Sequence, residues 1–140
     1  MLSGKQLHGL AAKSWPDMRL LGTVLAPAFD GRRRFCGLYI ERSGMIGKKL
    51  FVPLAAISHI DISGAYIADS TQLAACKKSA VQPGCIGCAA LDAEGRELGS
   101  ISDMLFEDKR LVAYVVSDGL LGDYRSGRRR YAPQQIQIRD

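Results

Sequence analysis

The residues best suited to bond-making or metal chemistry are cysteines near the middle of the chain. Cys85-x-x-Cys88, with Cys76 nine residues upstream of the pair, would present three thiolates close together, while Cys36 stands apart. A structural zinc takes four thiolate or imidazole ligands, commonly from two matched Cys-x-x-Cys pairs, and the second pair is missing. His8 or His59 would have to arrive from elsewhere in the fold to complete a metal site at Cys76, Cys85 and Cys88. A redox pair would need a thioredoxin-like strand-to-helix setting, which the sequence around Cys85 lacks. The reading preferred here is that of small buried apolar residues, as cysteine without a ligand usually behaves. No cofactor is expected.

Two arginine triplets come next, Arg32-Arg33-Arg34 and Arg128-Arg129-Arg130, with Arg125 beside the second. Guanidinium forks match phosphate, so these loops would suit RNA, a ribosome or an anionic surface, with Phe35 and Tyr131 as stacking neighbours. Arginine at turns and edge strands also serves as solvated protection against sheet-to-sheet aggregation, and this reading is favoured. Gly44-Met45-Ile46-Gly47 and Gly119-Leu120-Leu121-Gly122 each place two large apolar side chains in a turn. Met45, Ile46, Leu120 and Leu121 would either plug an open barrel end or offer a contact to a partner or a second copy. For catalysis the inventory is poor: two histidines, scattered aspartates near turns, no phosphate loop and no nucleophile elbow. The expectation is a protein that is not an enzyme.

Length and composition bound the elements that must position these groups. The chain has 140 residues, is 47% hydrophobic and 24% charged, and carries a net charge of +5. It is long enough for one ordinary domain or two very small ones. A basic balance favours acidic partners. No apolar run approaches the roughly 20 residues of a membrane helix, and the N-terminal segment has no secretory pattern, so the expected location is the cytoplasm.

An internal repeat organises the sequence. Leu21-Gly22-Thr23-Val24 parallels Leu98-Gly99-Ser100-Ile101, and the same offset runs on through Phe29 with Phe106, Arg33 with Arg110 and Cys36 with Ala113. Upstream, Gly9-Leu10-Ala11-Ala12 pairs with Gly87-Cys88-Ala89-Ala90, which sets Cys88 where Leu10 stands. Downstream, the two Gly-x-x-Gly turns match, and Phe51-Val52-Pro53 pairs with Tyr131-Ala132-Pro133. Four blocks in one order indicate duplication. Each copy predicts strands at 20–26 and 98–102, 35–41 and 111–117, 50–52, 57–62 and 136–138. Asp30-Gly31 predicts a hairpin, for which the second copy must use a different turn at Glu107-Asp108-Lys109. Between the copies, Asp69 or Ser70 would cap a helix running to about Lys78, ended by Pro83-Gly84. The fold class is mainly β: repeat 1 over 1–68, a helical linker over 69–84 and repeat 2 over 85–140.

This block order resembles the PRC-barrel family, whose members carry Leu-Gly-x-Val, a hairpin, an apolar strand, a glycine-rich turn, a strand ending in Val-Pro and then Ile. Copy one supplies Leu21 to Val24, Phe35 to Ile40, Gly44 to Gly47, Phe51-Val52-Pro53 and Ile57; copy two supplies Leu98 to Ile101, Leu111 to Val116, Gly119 to Gly122, Tyr131-Ala132-Pro133 and Ile136. Copy one departs from the family at Trp15-Pro16-Asp17-Met18, where an Asp-Gly turn is common and where Ala93-Glu94-Gly95 approximates it in copy two. The resemblance implies two tandem small β-barrels without an active site, docking onto another macromolecule. Relatives include the cytoplasmic domain of the photosynthetic reaction-centre H subunit and the C-terminal domain of a ribosome-maturation factor. The expected function is a non-catalytic protein-interaction or scaffolding module, with a homodimer as one arrangement. An RNA- or ribosome-associated basic factor and a cysteine-based metal or redox protein are the alternatives.

Overall fold

The computed structural model describes residues 1–75, 84–118 and 127–139, and 55% of these are in strands against 11% in helices. They divide into two compact units, one of Met1–Gly84 with residues 107–110, the other of Cys85–Phe106 and Leu111–Asp140. No helix among the described residues is long and apolar enough to cross a membrane.

The first unit opens with a short strand β1 (Leu2–Ser3) and one helical turn α1 (Gly4–Leu7) closed by a reciprocal Ser3–Gln6 capping box. Strands β2 (Ala11–Ser14), β3 (Leu20–Phe29), β4 (Phe35–Arg42), β5 (Lys49–Pro53), β6 (Ile57–Asp61), β7 (Gly64–Ile67) and β8 (Ala74–Ala75) form one sheet in the order β6-β7-β2-β3-β4-β5-β8. Alternation sets its core face: Leu38 and Ile40 of β4 are fully buried, while Tyr39 and Glu41 between and after them are half-exposed. Val24, Val52, Ile57, Ile67 and Leu7 complete that core, and β7 is buried along its whole length. A register break between Val24 and Ala26 shifts β3 by one residue, so that Pro27, Ala28 and Phe29 are buried in succession. The ring Nδ1 of His8 lies 2.9 Å from the carbonyl of Leu25 at this break.

The outer edge of β6 is covered by residues 107–110. The Ile60 N–H donates to Asp108 Oδ1 at 2.9 Å, and Lys109 Nζ donates to the carbonyls of Ile57 and Leu54 at 2.7 and 3.3 Å. Side chains thus stand in for the ladder partner that an edge strand lacks.

The second unit repeats the plan with fewer strands among its described residues. Strands β9 (Ala89–Leu91), β10 (Glu97–Glu107), β11 (Arg110–Ser117), β12 (Arg129–Tyr131) and β13 (Gln137–Arg139) follow the order β12-β11-β10-β9-β13. Its core holds Ala90, Ile101, Met104, Phe106, Tyr114 and Val116. Corresponding backbone bonds recur. Gly9 N–H donates to Val24 O at 2.8 Å as Gly87 N–H donates to Ile101 O at 2.7 Å. Val24 N–H donates to Leu10 O as Ile101 N–H donates to Cys88 O. A 3₁₀ turn follows β5 at Leu54–Ala56 and follows β12 at Pro133–Gln135.

Three expectations need correction. The gapless offset through the first hairpin fails, because five residues (Asp30 to Arg34) join β3 to β4 while Asp108 and Lys109 alone separate β10 from β11. After that turn Leu38 corresponds to Tyr114 and Ile40 to Val116, each pair buried and facing Val52 with Tyr131 and Leu50 with Arg129. Cys36 therefore matches Val112 and not Ala113, and Pro53 matches Ala132, the two caps of the 3₁₀ turns. A one-residue slip exchanges the faces of a strand, so burial decides the alignment that letters alone misplace.

The linker differs too. Asp69 caps as anticipated, accepting from the Thr71 N–H, but over a 3₁₀ turn (Ser70–Gln72), and Ala74–Ala75 then pairs with Phe51 and Leu50. The open edge of β5 outweighs the mild helix preference of alanine. Residues 76–83 of the expected helix lie outside the described residues. Last, the parallel strand β7 sits between β6 and β2 in the first unit, whereas β13 pairs β9 directly in the second. Among the described residues the sheets end at β6 and β8 and at β12 and β13, and neither closes into a barrel.

Candidate interaction site

The β4–β5 hairpin carries the most exposed apolar tip of the first unit. Met45 N–H donates to Arg42 O and Lys48 N–H to Met45 O, and Gly44 and Gly47 both take positive φ, which glycine supplies without strain. This backbone turns Ile46 outward to 98% exposure and leaves Met45 at 45%. In this unit the pair is no plug, since a plug would be buried. Glu41 Oε2 accepts from Gly47 N–H at 3.4 Å, leaving Arg42, Lys48 and Lys49 as an exposed basic surround. Leu120 and Leu121 of the second Gly-x-x-Gly lie outside the described residues.

The arginine triplets occupy separate units. Arg32, Arg33 and Arg34 form the β3–β4 turn, where Asp30 Oδ1 accepts from the N–H groups of Arg32 and Arg34 and Oδ2 meets Arg34 Nε at 3.0 Å. The Arg34 and Arg32 N–H groups, with the Arg34 guanidinium, hold the Asp30 carboxyl below its usual range. The same device closes the β9–β10 turn, with Asp92 bound to Glu94 N–H, Arg96 N–H and Arg96 Nε. Arg34 is thus a turn fastener as well as a surface charge. Arg129 and Arg130 lie on β12 at the end of its sheet, with Arg128 just before it, and Arg129 Nη2 meets Asp118 Oδ2 at 3.5 Å. Arg125 lies outside the described residues.

Cys36 lies in the first unit and Cys85 and Cys88 in the second. Cys85 is buried at 2%, and the Cys88 N–H donates to the Cys85 carbonyl just as the Leu10 N–H donates to Leu7 O, so Cys85 and Cys88 fill the places of Leu7 and Leu10. Cys36 reaches Ala28 O at 3.5 Å, and burial pushes its thiol up. No cluster of three or more histidine, cysteine or acidic side chains able to hold a metal occurs among the described residues, and Cys76 lies outside them.

Two features were missed from sequence. The first is an aromatic group in the first unit: His59 stacks on Tyr66 at 4.5 Å, with the Trp15 ring edge-on at 4.8 Å from His59 and 5.6 Å from Tyr66. Ser58 Oγ lies 3.0 Å from His59 Nδ1, and Ser63 Oγ 2.6 Å from the Tyr66 hydroxyl. His59 is half-buried against these rings and belongs to the first unit, whereas Cys85 and Cys88 belong to the second. Only the parallel pairing of β2 with β7 brings Trp15 near Tyr66, and no local spacing announces it. The second is a groove of about 260 Å³ lined by Arg19, Leu21, Arg42, Leu50, Ser70 and Leu73. Its arginines lie outside both triplets, which is why charge runs did not reveal it.

Compared with models of known protein families and with curated proteins, the chain matches none.

Proposed function

We propose that the chain is a non-catalytic protein-interaction module built of two PRC-type repeats, contacting its partner through Met45 and Ile46. The PRC reading rests on the order β2-β3-β4-β5 matched by β9-β10-β11-β12, the recurring glycine bonds and the 3₁₀ turn that follows β5 and β12. The observation that carries the function is Ile46, 98% exposed on a turn closed by two backbone hydrogen bonds. Leaving such a side chain in water forgoes about 1.5–3 kcal/mol that docking would recover. A partner with an apolar pocket and an acidic rim suits the tip and its flanking Arg42, Lys48 and Lys49. A reducing cytoplasm suits the unoxidised thiol of Cys36.

A photo-crosslinking amino acid in place of Ile46, introduced in the cells that make the protein, tests this directly. A discrete adduct to a polypeptide, including a second copy of this chain, supports it. Adducts to RNA alone, or none at all while the protein stays folded, would overturn it.

A further inference from the structure

We infer that the groove between Arg19 and Arg42 receives the C-terminal carboxylate of a partner polypeptide, with the aliphatic side chain of its last residue against Leu21, Leu50 and Leu73. This inference rests on the protein-interaction reading above and names a second contact for it.

The two repeats supply the argument. The corresponding place in the second unit is lined by Glu97, Leu98, Gly99, Ser100, Ser117 and Asp118. The sheet registers equate Leu21 with Leu98, Arg42 with Asp118 and Leu50 with Arg129. In the second unit the charge is satisfied from within, because Asp118 meets Arg129 at 3.5 Å. In the first unit the acid has become Arg42 and its cationic neighbour has become Leu50, which is buried. Neither Arg19 nor Arg42 takes part in an ion pair among the described residues. Asp17 lies close enough to feel the charge of Arg19, but its carboxylate is held by the Ser14 hydroxyl at 2.6 Å. The groove is thus lined by two arginines, Ser70 and three leucines, with no acidic residue among its lining.

A guanidinium fork matches a carboxylate in shape and charge. The leucines select an aliphatic body, and no aromatic ring lines the groove on which a base would stack. Its volume of about 260 Å³ falls below the few hundred to a thousand of pockets that enclose a whole ligand, and fits one terminal residue. Capture of a chain terminus by convergent donors is an established mode of peptide recognition.

The test titrates the full-length protein into fluorescein-labelled glycine-serine peptides ending in leucine, as the free acid and as the amide, with anisotropy as readout. Saturable binding of the acid is expected, weakened by about tenfold or more in the amide, since a hydrogen bond to a charged group is lost. Arg42→Asp, which copies the second repeat, abolishes binding while leaving the circular dichroism unchanged. Equal binding of acid and amide, binding indifferent to Arg42→Asp, or no binding of any peptide would overturn the inference. So would isovalerate alone displacing the peptide at its own Kd, or Arg42-dependent capture on phosphatidylglycerol vesicles in place of peptide. The crosslink at position 46 is read separately, so a failure here leaves the interaction module standing, and loss of that crosslink removes both.

Discussion

Gly22 and Gly99 hold the two repeats to one geometry, and a methyl group at either is the sharpest perturbation the structure offers. A Cβ at Gly22 would sit 2.2 Å from the Glu41 carbonyl oxygen, and one at Gly99 2.3 Å from that of Ser117. Each must retreat by about 1 Å to reach ordinary contact, and the obstacle is backbone, which cannot swing aside. Overpacking of this kind costs about 1–3 kcal/mol, and loosening one or two ladder bonds adds about 1 kcal/mol each. Gly22→Ala should therefore destabilise its unit by about 2–4 kcal/mol. Gly99→Ala should cost more, because its φ of +144° is strained for any side chain. Hydrogen exchange read by segment distinguishes the units: Gly22→Ala should raise exchange in β2 to β5, Gly99→Ala in β9 to β12. Gly31→Ala is the control, since nothing lies within 4 Å of the added methyl. It should be neutral or stabilising by up to about 1 kcal/mol. A Gly22→Ala protein as stable as wild type would refute the close approach and, with it, the equivalence of the two Leu-Gly strands.

Other consequences are equally specific. Lys109→Met removes the donor to the Ile57 and Leu54 carbonyls and should destabilise the first unit by about 1–3 kcal/mol, visible in urea unfolding. Asp30 and Asp92 titrate below the ordinary 3.8 because turn N–H groups, first those of Arg34 and Arg96, stabilise their ionised forms. The folded state then binds fewer protons than the unfolded one, so this stability is present above the ordinary value and lost as pH falls through the lower folded values. Thermal melts should be flat at neutral pH and fall on acidification, less steeply in Asp30→Asn/Asp92→Asn; an unchanged acid limb would contradict the assignment. Cys36, its thiol pushed up by burial and then by the charge of Asp30, should alkylate more slowly than a free thiol at neutral pH, and fast labelling would exclude that burial.

Strand identity was legible because it is written locally. Alternation across Phe35–Arg42 and the turn at Asp30-Gly31 need no distant residue, and the mainly β class follows from many such runs. The Leu10–Cys88 correspondence was equally open, since glycines at 9 and 87 fix matching turns. What escaped were facts set by neighbours in space. The offset between the repeats drops by one residue at the β3–β4 turn, which only burial of Tyr114 and Val116 exposes. Ala74–Ala75 reads as helix until the free edge of β5 claims it. For the site, Met45 and Ile46 were singled out by an apolar pair inside a glycine-bounded turn. Trp15, His59 and Tyr66 were not, because a parallel pairing gathers them, and Arg19 and Arg42 come to line one groove only through the pairing of β3 with β4.

The central claim is that this chain works by binding another protein, and purification from the cells that make it tests that most directly. Tagged wild type and Met45→Ser/Ile46→Ser should be isolated side by side, with and without nuclease, at low and moderate salt. The account predicts a stoichiometric protein partner that resists nuclease and salt and is lost with the double substitution. Recovery only of RNA or ribosomal proteins that disappear on nuclease treatment, or a partner retained equally by both proteins, would contradict it.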